Sequence, residues 1–306
     1  MKFNEIVTHL NNIPKSQDFK IYLIGGIIRD KLLGIENFED IDIAVEGDIE
    51  KFVSYFRIYF GKKIIKENRS KLKTYKFILD DSSFDIIFTR KELYVENGML
   101  PELSRGDIYD DIKRRDFTIN SIAYSLQENN YIDPLNGIKD LEDRMIRENR
   151  KNLFLEDPTR IFRFFKYKER LNFSGEENTL ADLKRSLSEK EIFKNVSKSR
   201  ISREWFLILK EKERKRIIDD LHKENLFLNI FKKEIKLNLN FKEIENEFLY
   251  TLGIFFENDS ETLIDILDIL LNGIKDKEKE EVINIKEKKN LTERVKKKYS
   301  YILEVY

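Results

Sequence analysis

Asp40 and Asp42 stand at alternate positions of the run Asp40–Val45, separated and followed by Ile41, Ile43, Ala44 and Val45. That alternation predicts a half-buried strand with both carboxylates on one face and the isoleucines turned into the core. Two carboxylates so close repel each other, and a fold that keeps them needs compensation. A divalent cation supplies it, and phosphoryl transfer uses two such ions to activate a hydroxyl and hold a triphosphate. A third carboxylate completes sites of this kind. Asp85, between Phe84 and Ile86 in the strand expected at Ser83–Thr89, is the best candidate. The chain has no cysteine, and its two histidines, His9 and His222, are far apart in the sequence. Disulfides and thiolate zinc sites are therefore excluded, and the oxygen donors left favour Mg²⁺.

Taken alone, Asp-x-Asp is as easily an ordinary acidic turn. The residues before it change the balance. Lys20–Ile24 reads as a short apolar strand that runs into Gly25-Gly26, and Ile27–Leu33 has helical spacing closed by Gly34. A Gly-Gly turn that opens a helix lets backbone N–H groups approach phosphate oxygens. Arg29, in the first turn, adds charge-assisted bonds to the same anion. Strand, Gly-Gly turn, arginine and paired aspartates together describe a site for a triphosphate and its metals.

With these residues in view, Ile21–Asp48 (IYLIGGIIRDKLLGIENFEDIDIAVEGD) resembles the signature of the class II tRNA nucleotidyltransferase and bacterial poly(A) polymerase family, within the DNA polymerase β superfamily. The resemblance implies that Asp40 and Asp42 hold two catalytic Mg²⁺ ions while Gly25, Gly26 and Arg29 contact the nucleotide. Arg114–Tyr124 (RRDFTINSIAY) is similar to the family's second motif. Its Arg115 offers a planar fork to phosphates. Asp116 and Asn120, four apart, are placed to face the ribose, although Asp116 also suits a helix cap. Ile132–Arg147 (IDPLNGIKDLEDRMIR) looks like the stretch that closes the catalytic domain, and its Asp133, Pro134 and Gly137 read as the architecture of a turn.

Glu156–Phe173 (EDPTRIFRFFKYKERLNF) resembles the family's E-D-x-x-R motif. Pro158 suits the first turn of a helix, and Asp157 suits its positive end. Asp157 and Arg160 are three apart, hence neighbours on one face. A fixed carboxylate accepts and a fixed guanidinium donates, so the pair matches the Watson–Crick edge of cytosine or adenine and mismatches guanine and uracil. The plain alternative is a surface ion pair. Arg163, one turn on, is a weaker phosphate candidate, and Ile161, Phe164 and Phe165 are core. Ser197–Leu209 looks like the E-R-I-x-x-E neck helix: Arg200, Ile201 and Glu204 match, but Ser199 replaces the first glutamate, and these residues are left out of the catalytic set. Asn97–Pro101 lies closer to the pattern of members that add only part of the CCA end.

The elements that must position these groups divide near residue 150. Gly and Pro punctuate the first half, at Gly25, Gly26, Gly34, Gly47, Gly61, Gly98, Gly106 and Gly137 with Pro14, Pro101 and Pro134, whereas few follow. The first half is expected to be α+β, with helices at 3–11 and 49–60, the acidic strand at the edge of a mixed sheet, and a further strand at Thr74–Leu79. The second half is expected to be helical, with helices at 157–171, about 178–187, 199–209 and 212–222. The division expected is a nucleotidyltransferase head at 1–148, nucleotide-selecting neck helices at 149–210, and an RNA-binding helical body with a short tail at 211–306.

Lys+Arg and Asp+Glu both number 57 in 306 residues, so net charge is silent about a polyanionic partner and any basic surface arises by segregation. Lys184-Arg185, Arg214–Arg216, Lys232-Lys233 and Lys296–Lys298 are basic clusters of that kind, read mainly as solvated helix faces. No apolar run reaches the roughly 18 residues of a membrane span, so a cytoplasmic protein is expected. The activity implied is template-independent addition of all or part of the CCA end to the 3′ end of tRNA, gripped at acceptor stem and elbow, from ATP and/or CTP. Rivals are a poly(A) polymerase, a small-molecule nucleotidyltransferase and a non-catalytic RNA-binding module.

Overall fold

The computed structural model describes residues 1–70, 74–79, 82–289 and 291–306. They form two compact units: 1–95 with 100–153 and 174–179, and 96–99 with 154–173 and 180–306.

In the first unit α1 (Phe3–Asn11), β1 (Phe19–Ile24), α2 (Gly26–Leu32), β2 (Asp40–Gly47), α3 (Ile49–Phe60), β3 (Ile64–Arg69), β4 (Tyr75–Leu79), β5 (Ser82–Phe88), β6 (Arg90–Leu93), β7 (Glu102–Arg105), α4 (Ile108–Arg114), β8 (Ala123–Ser125), β9 (Asn130–Ile132), α5 (Gly137–Glu142) and β10 (Met145–Ile146) succeed one another. Seven strands make a mixed sheet in the order β3-β4-β5-β2-β1-β8-β9. Only β2 and β5 run parallel within it; the other neighbours are antiparallel. The acidic strand is therefore the middle strand of the sheet and not its edge. From Ile43 to Val45 it is apolar on both faces, and Ile41, Ile43, Ala44 and Val45 are all buried, as a strand flanked and covered on both sides requires.

The two faces of β2 have different cover. On one, α3 lays Phe52 and Phe56 against the sheet, with Phe56 at 4.8 Å from Phe77 and 5.5 Å from Phe84 between ring centroids. Each fully buried ring contributes roughly 1.5–3 kcal/mol. Asp48 caps α3 by accepting the Lys51 amide at 3.1 Å. On the other face, Ala44 packs with Tyr22, Ile24, Ala123 and the α4 residues Ile108 and Ile112. Period-2 alternation puts Asp40 and Asp42 on this α4 face. A capping box starts α4: the Asp110 amide donates to Asp107 at 2.8 Å, and the Asp107 amide donates to Asp110 at 3.1 Å.

The second unit is helical, with α6 (Leu153–Glu156), which starts at the unit boundary, then α7 (Thr159–Leu171), α8 (Glu177–Leu187) from Leu180 on, α9 (Lys198–Leu209), α10 (Arg214–Lys223) and further helices between Leu226 and Leu303. Trp205 is its buried centre, against Phe255 at 5.8 Å and Phe227 at 6.2 Å, with its indole N–H donating to Thr251 at 3.1 Å. The segment 174–179 belongs to the first unit because β11 (Ser174–Gly175) pairs with β10 and the Glu148 amide donates to Thr179 at 3.0 Å. Asn290, in the Lys- and Glu-rich run 273–298, lies outside the described residues. Among the described residues no helix is long and apolar enough to cross a membrane.

Candidate active site

Three elements converge on Asp42. Strand β2 carries it, β5 places Asp85 directly beside it in parallel register, and Asp40 lies beside Ser83 one step earlier. Ser83 donates to Asp40 at 2.6 Å, and Lys76 donates to Asp85 at 3.1 Å. Burial pushes the Asp42 carboxyl above its usual range, Arg115 pulls it down, and Asp85 and Asp40 push it up again. Burial is the largest cause of the net rise, and the two neighbouring carboxylates add to it.

Gly25 is the third contributor. With φ 84° and ψ −135° it occupies backbone space closed to ordinary L residues. A Cβ there would lie 2.9 Å from Arg115 Nη1 and 3.3 Å from Asp42 Oδ2. The missing side chain thus keeps a gap between a guanidinium and a carboxylate. The first helical bonds of α2 run from the Ile28 and Arg29 amides to the Gly25 carbonyl, both at 3.1 Å, so the Gly26 and Ile27 amides precede the helix's own ladder.

Arg115 is aimed by a residue that the sequence reading passed over. Its Nε and Nη2 donate to Asp111 Oδ2, both at 3.2 Å, while Arg114 Nε donates to Asp111 Oδ1 at 2.8 Å and Arg114 Nη1 to Glu92 at 2.9 Å. Burial raises the Asp111 carboxyl, but Arg115 and Arg114 outweigh it and hold it below its usual range. The i,i+3 and i,i+4 spacing of Asp111 to the two arginines carried the signal.

Arg29, Asp116 and Asn120 come together in a chain of their own. Arg29 is buried; it donates from Nε and Nη2 to Asp30 at 2.7 and 3.0 Å and from Nη1 to Asn120 Oδ1 at 2.7 Å. Asn120 donates to Asp116 Oδ1 at 3.3 Å, and that oxygen also accepts the Phe117 amide at 2.8 Å. The guanidinium of Arg29 is thus already committed to protein oxygens. The turn expected at Asp133–Gly137 is present, with Asp133 accepting the Gly137 and Ile138 amides at 2.7 and 2.9 Å. A Cβ on Gly137 would lie 2.2 Å from the Thr118 carbonyl, so the glycine lets α5 sit against the turn at 118–120.

Asp157, Arg160 and Arg163 belong to the second unit. Asp157 precedes the first helical residue of α7 and accepts at Oδ1 from the Thr159 amide at 3.0 Å, the Thr159 hydroxyl at 2.6 Å and Arg200 Nη2 at 2.6 Å. Arg160 is buried, with Nη1 3.4 Å from Glu156. Arg163 is partly exposed, and Ile161, Phe164 and Phe165 are core. Arg200, in the motif that lacks its first glutamate, holds Asp157. Among the basic clusters, Arg214 pairs with Glu243, Lys232 with Glu191, Lys233 with Asp265, Lys296 with Glu293 and Lys298 with Glu281, which fits ion-paired helix faces.

The donors around Asp42 suit Mg²⁺: hard carboxylate oxygens on neighbouring strands and room at Gly25. Among the described residues no three His, Cys, Asp or Glu side chains are gathered as a ready cation cluster, and Asp85 is held by Lys76. Asp40 and Asp42 are the pair of carboxylates here that could hold a cation.

A mixed sheet with acidic side chains on its middle strand, beside a Gly-Gly turn, defines a head of the nucleotidyltransferase class. Residues 21–147 match the poly(A) polymerase head domain. An A-adding tRNA nucleotidyltransferase of Geobacter sulfurreducens is 33% identical over 67% of this chain and 23% of its own length. A CC-adding tRNA nucleotidyltransferase of Deinococcus radiodurans is 30% identical over 58% of this chain and 49% of its own. Among solved structures, an apo form of a CCA-adding enzyme superposes with a TM-score of 0.77 at 26% identity, covering 92% of this chain and 70% of that one. The Thermotoga maritima CCA-adding enzyme complexed with tRNA gives 0.72 at 25% identity, covering 92% and 69%. The chain belongs to the class II tRNA nucleotidyltransferase and poly(A) polymerase family. It spans less than half the length of these two curated relatives.

Proposed function

We propose that this chain is a template-independent tRNA nucleotidyltransferase of the cytoplasm, adding all or part of the CCA end from ATP and/or CTP. The observation that carries the reading is the gap at Gly25 between Asp42 and Arg115. It offers a phosphate a guanidinium on one side and a metal-binding carboxylate on the other. In the reaction the tRNA 3′ oxygen bonds to the α-phosphorus while the α–β bridging bond breaks and pyrophosphate leaves. Asp40 and Asp42, with Asp85 beside them, would hold Mg²⁺, which would supply charge neutralisation at the reacting phosphate. Arg115, fixed by Asp111, binds and orients the triphosphate, and the Gly25-Gly26 backbone lets it approach closely. Arg29 acts by setting Asn120 and Asp116, which face the ribose. Asp157 and Arg160 choose the base by its donor and acceptor pattern, with Arg163 a phosphate contact. The helical unit grips acceptor stem and elbow through backbone and shape.

Support also comes from the naming of similar enzymes as A-adding and CC-adding and from similar solved chains carrying ATP or CTP. The test is incorporation of labelled CTP or ATP into tRNA ending at the discriminator base, after C and after CC. Extension of all three marks a full CCA enzyme, ATP added only after CC an A-adding one, and CTP alone a CC-adding one. Long adenylate tails on a non-tRNA oligonucleotide would replace the proposal with a poly(A) polymerase.

A further inference from the structure

The second unit takes in a short piece of chain from between β6 and β7, Glu96–Met99, and a ring of hydrogen bonds holds it there. The Gly98 amide donates to the Glu156 carbonyl at 3.0 Å. Arg200 Nη1 donates to the Gly98 carbonyl, and Arg200 Nη2 donates to Asp157 Oδ1 at 2.6 Å. Gly98 thus grips the residue before Asp157 through its amide and Asp157 itself through one guanidinium. Asn195 adds a second tie, donating to Glu96 at 2.9 Å and to the Asn97 carbonyl at 3.0 Å. The Arg200 side chain is only 10% exposed, so water competes little for these bonds.

Among the described residues every recorded bond to the Asp157 carboxylate ends on Oδ1. Arg200 and Thr159 therefore fix the plane of the carboxylate, and Oδ2 is the atom left to accept from a ligand. We propose that Arg200 is a positioning residue for nucleotide choice, which aims Asp157 and at the same time locks Glu96–Met99 beside it. This rests on the reading of Asp157 as a base-selecting group. The planar fork matters because a lysine ammonium is a point donor on a flexible stem and cannot hold both oxygens in fixed directions.

The test measures kcat and KM of the full chain for ATP, CTP, GTP and UTP on whichever tRNA end it extends. Arg200→Lys, Asn195→Ala and Asp157→Asn are compared with the parent. Loss of one charge-assisted bond predicts that Arg200→Lys loses about ten- to a hundredfold of its preference for the correct nucleotide over GTP, mostly through KM. Asn195→Ala frees the same segment without touching Asp157 and shifts the preference the same way, by less. Equal slowing with all four nucleotides, or an unchanged preference, in Arg200→Lys overturns the proposal. Should that variant fail to fold, Asn195→Ala decides, and an unchanged preference there overturns it. If Asp157→Asn keeps its preference, base selection by Asp157 is itself wrong. If Asp157→Asn loses preference while Arg200→Lys keeps it, only the role of Arg200 falls.

Discussion

A methyl group at Gly25 is the smallest perturbation that probes the site. In Gly25→Ala the new Cβ falls 2.9 Å from Arg115 Nη1 and 3.3 Å from Asp42 Oδ2. Relaxed contacts to carbon need about 3.5–4 Å, so the guanidinium must retreat by roughly half an ångström or more. Arg115 is not free to do so, because two 3.2 Å bonds tie it to Asp111. The backbone at φ 84° and ψ −135° adds strain of about 1–3 kcal/mol for an L residue. Together with a weakened ion pair the loss of stability is about 2–4 kcal/mol, read as a lowered midpoint for the first unit by chemical denaturation. Displacing a positioned cation from developing phosphate charge costs about 10²–10³ in kcat. The assay is single-nucleotide incorporation under conditions where the variant remains folded, in a cycle with Arg115→Ala. If the methyl acts by displacing Arg115, the double variant is no slower than Arg115→Ala alone. Fully additive losses, or parental kcat in folded Gly25→Ala, would refute the reasoning.

Asp42→Asn is expected to abolish incorporation, by at least about 10³-fold, while tRNA retention on filters persists; loss of both points to misfolding instead. Its unfolding midpoint should hold or rise, because the amide removes a negative charge set beside Asp85. Trp205→Ala empties the centre of the second unit and should cost about 3–5 kcal/mol, measured by urea denaturation. Glu281 gives a pH signature. Burial pushes its carboxyl up, but bonds from Lys298 at 2.7 Å and Tyr299 at 2.9 Å outweigh this and leave it below the usual range. Its contribution to stability is therefore present above the unfolded value and fades as pH falls from about 5 through the lower folded value. Glu281→Gln should flatten that acid limb of the denaturation midpoint, and an unchanged limb would show that the carboxylate is not what titrates.

Alternation in Asp40–Val45, the Gly25-Gly26 turn and the helical periodicity from Asp157 onward were legible in the sequence because each depends on neighbours a few residues away. So were the bounds of α1, α3 and β1, and the reading of Ile161, Phe164 and Phe165 as core. The short strands β3, β6, β7, β8 and β9 were not. Ile64–Arg69 is almost wholly exposed along its length, and three- or four-residue strands carry too little alternation to stand out. The place of β2 in the middle of the sheet was settled by pairing across forty residues with β5, which no local pattern encodes.

The sequence by itself determined which chemistry is available: oxygen ligands without thiols, glycines where backbone must come close, and arginines spaced to be aimed. Tertiary structure decided which of these groups meet. It committed Arg29 to Asn120, 91 residues away, and gave Asp157 to Arg200, 43 residues away. Hydrogen bonds of that range depend on where packed helices and strands bring side chains, and that follows from burying the core as a whole rather than from any spacing along the chain.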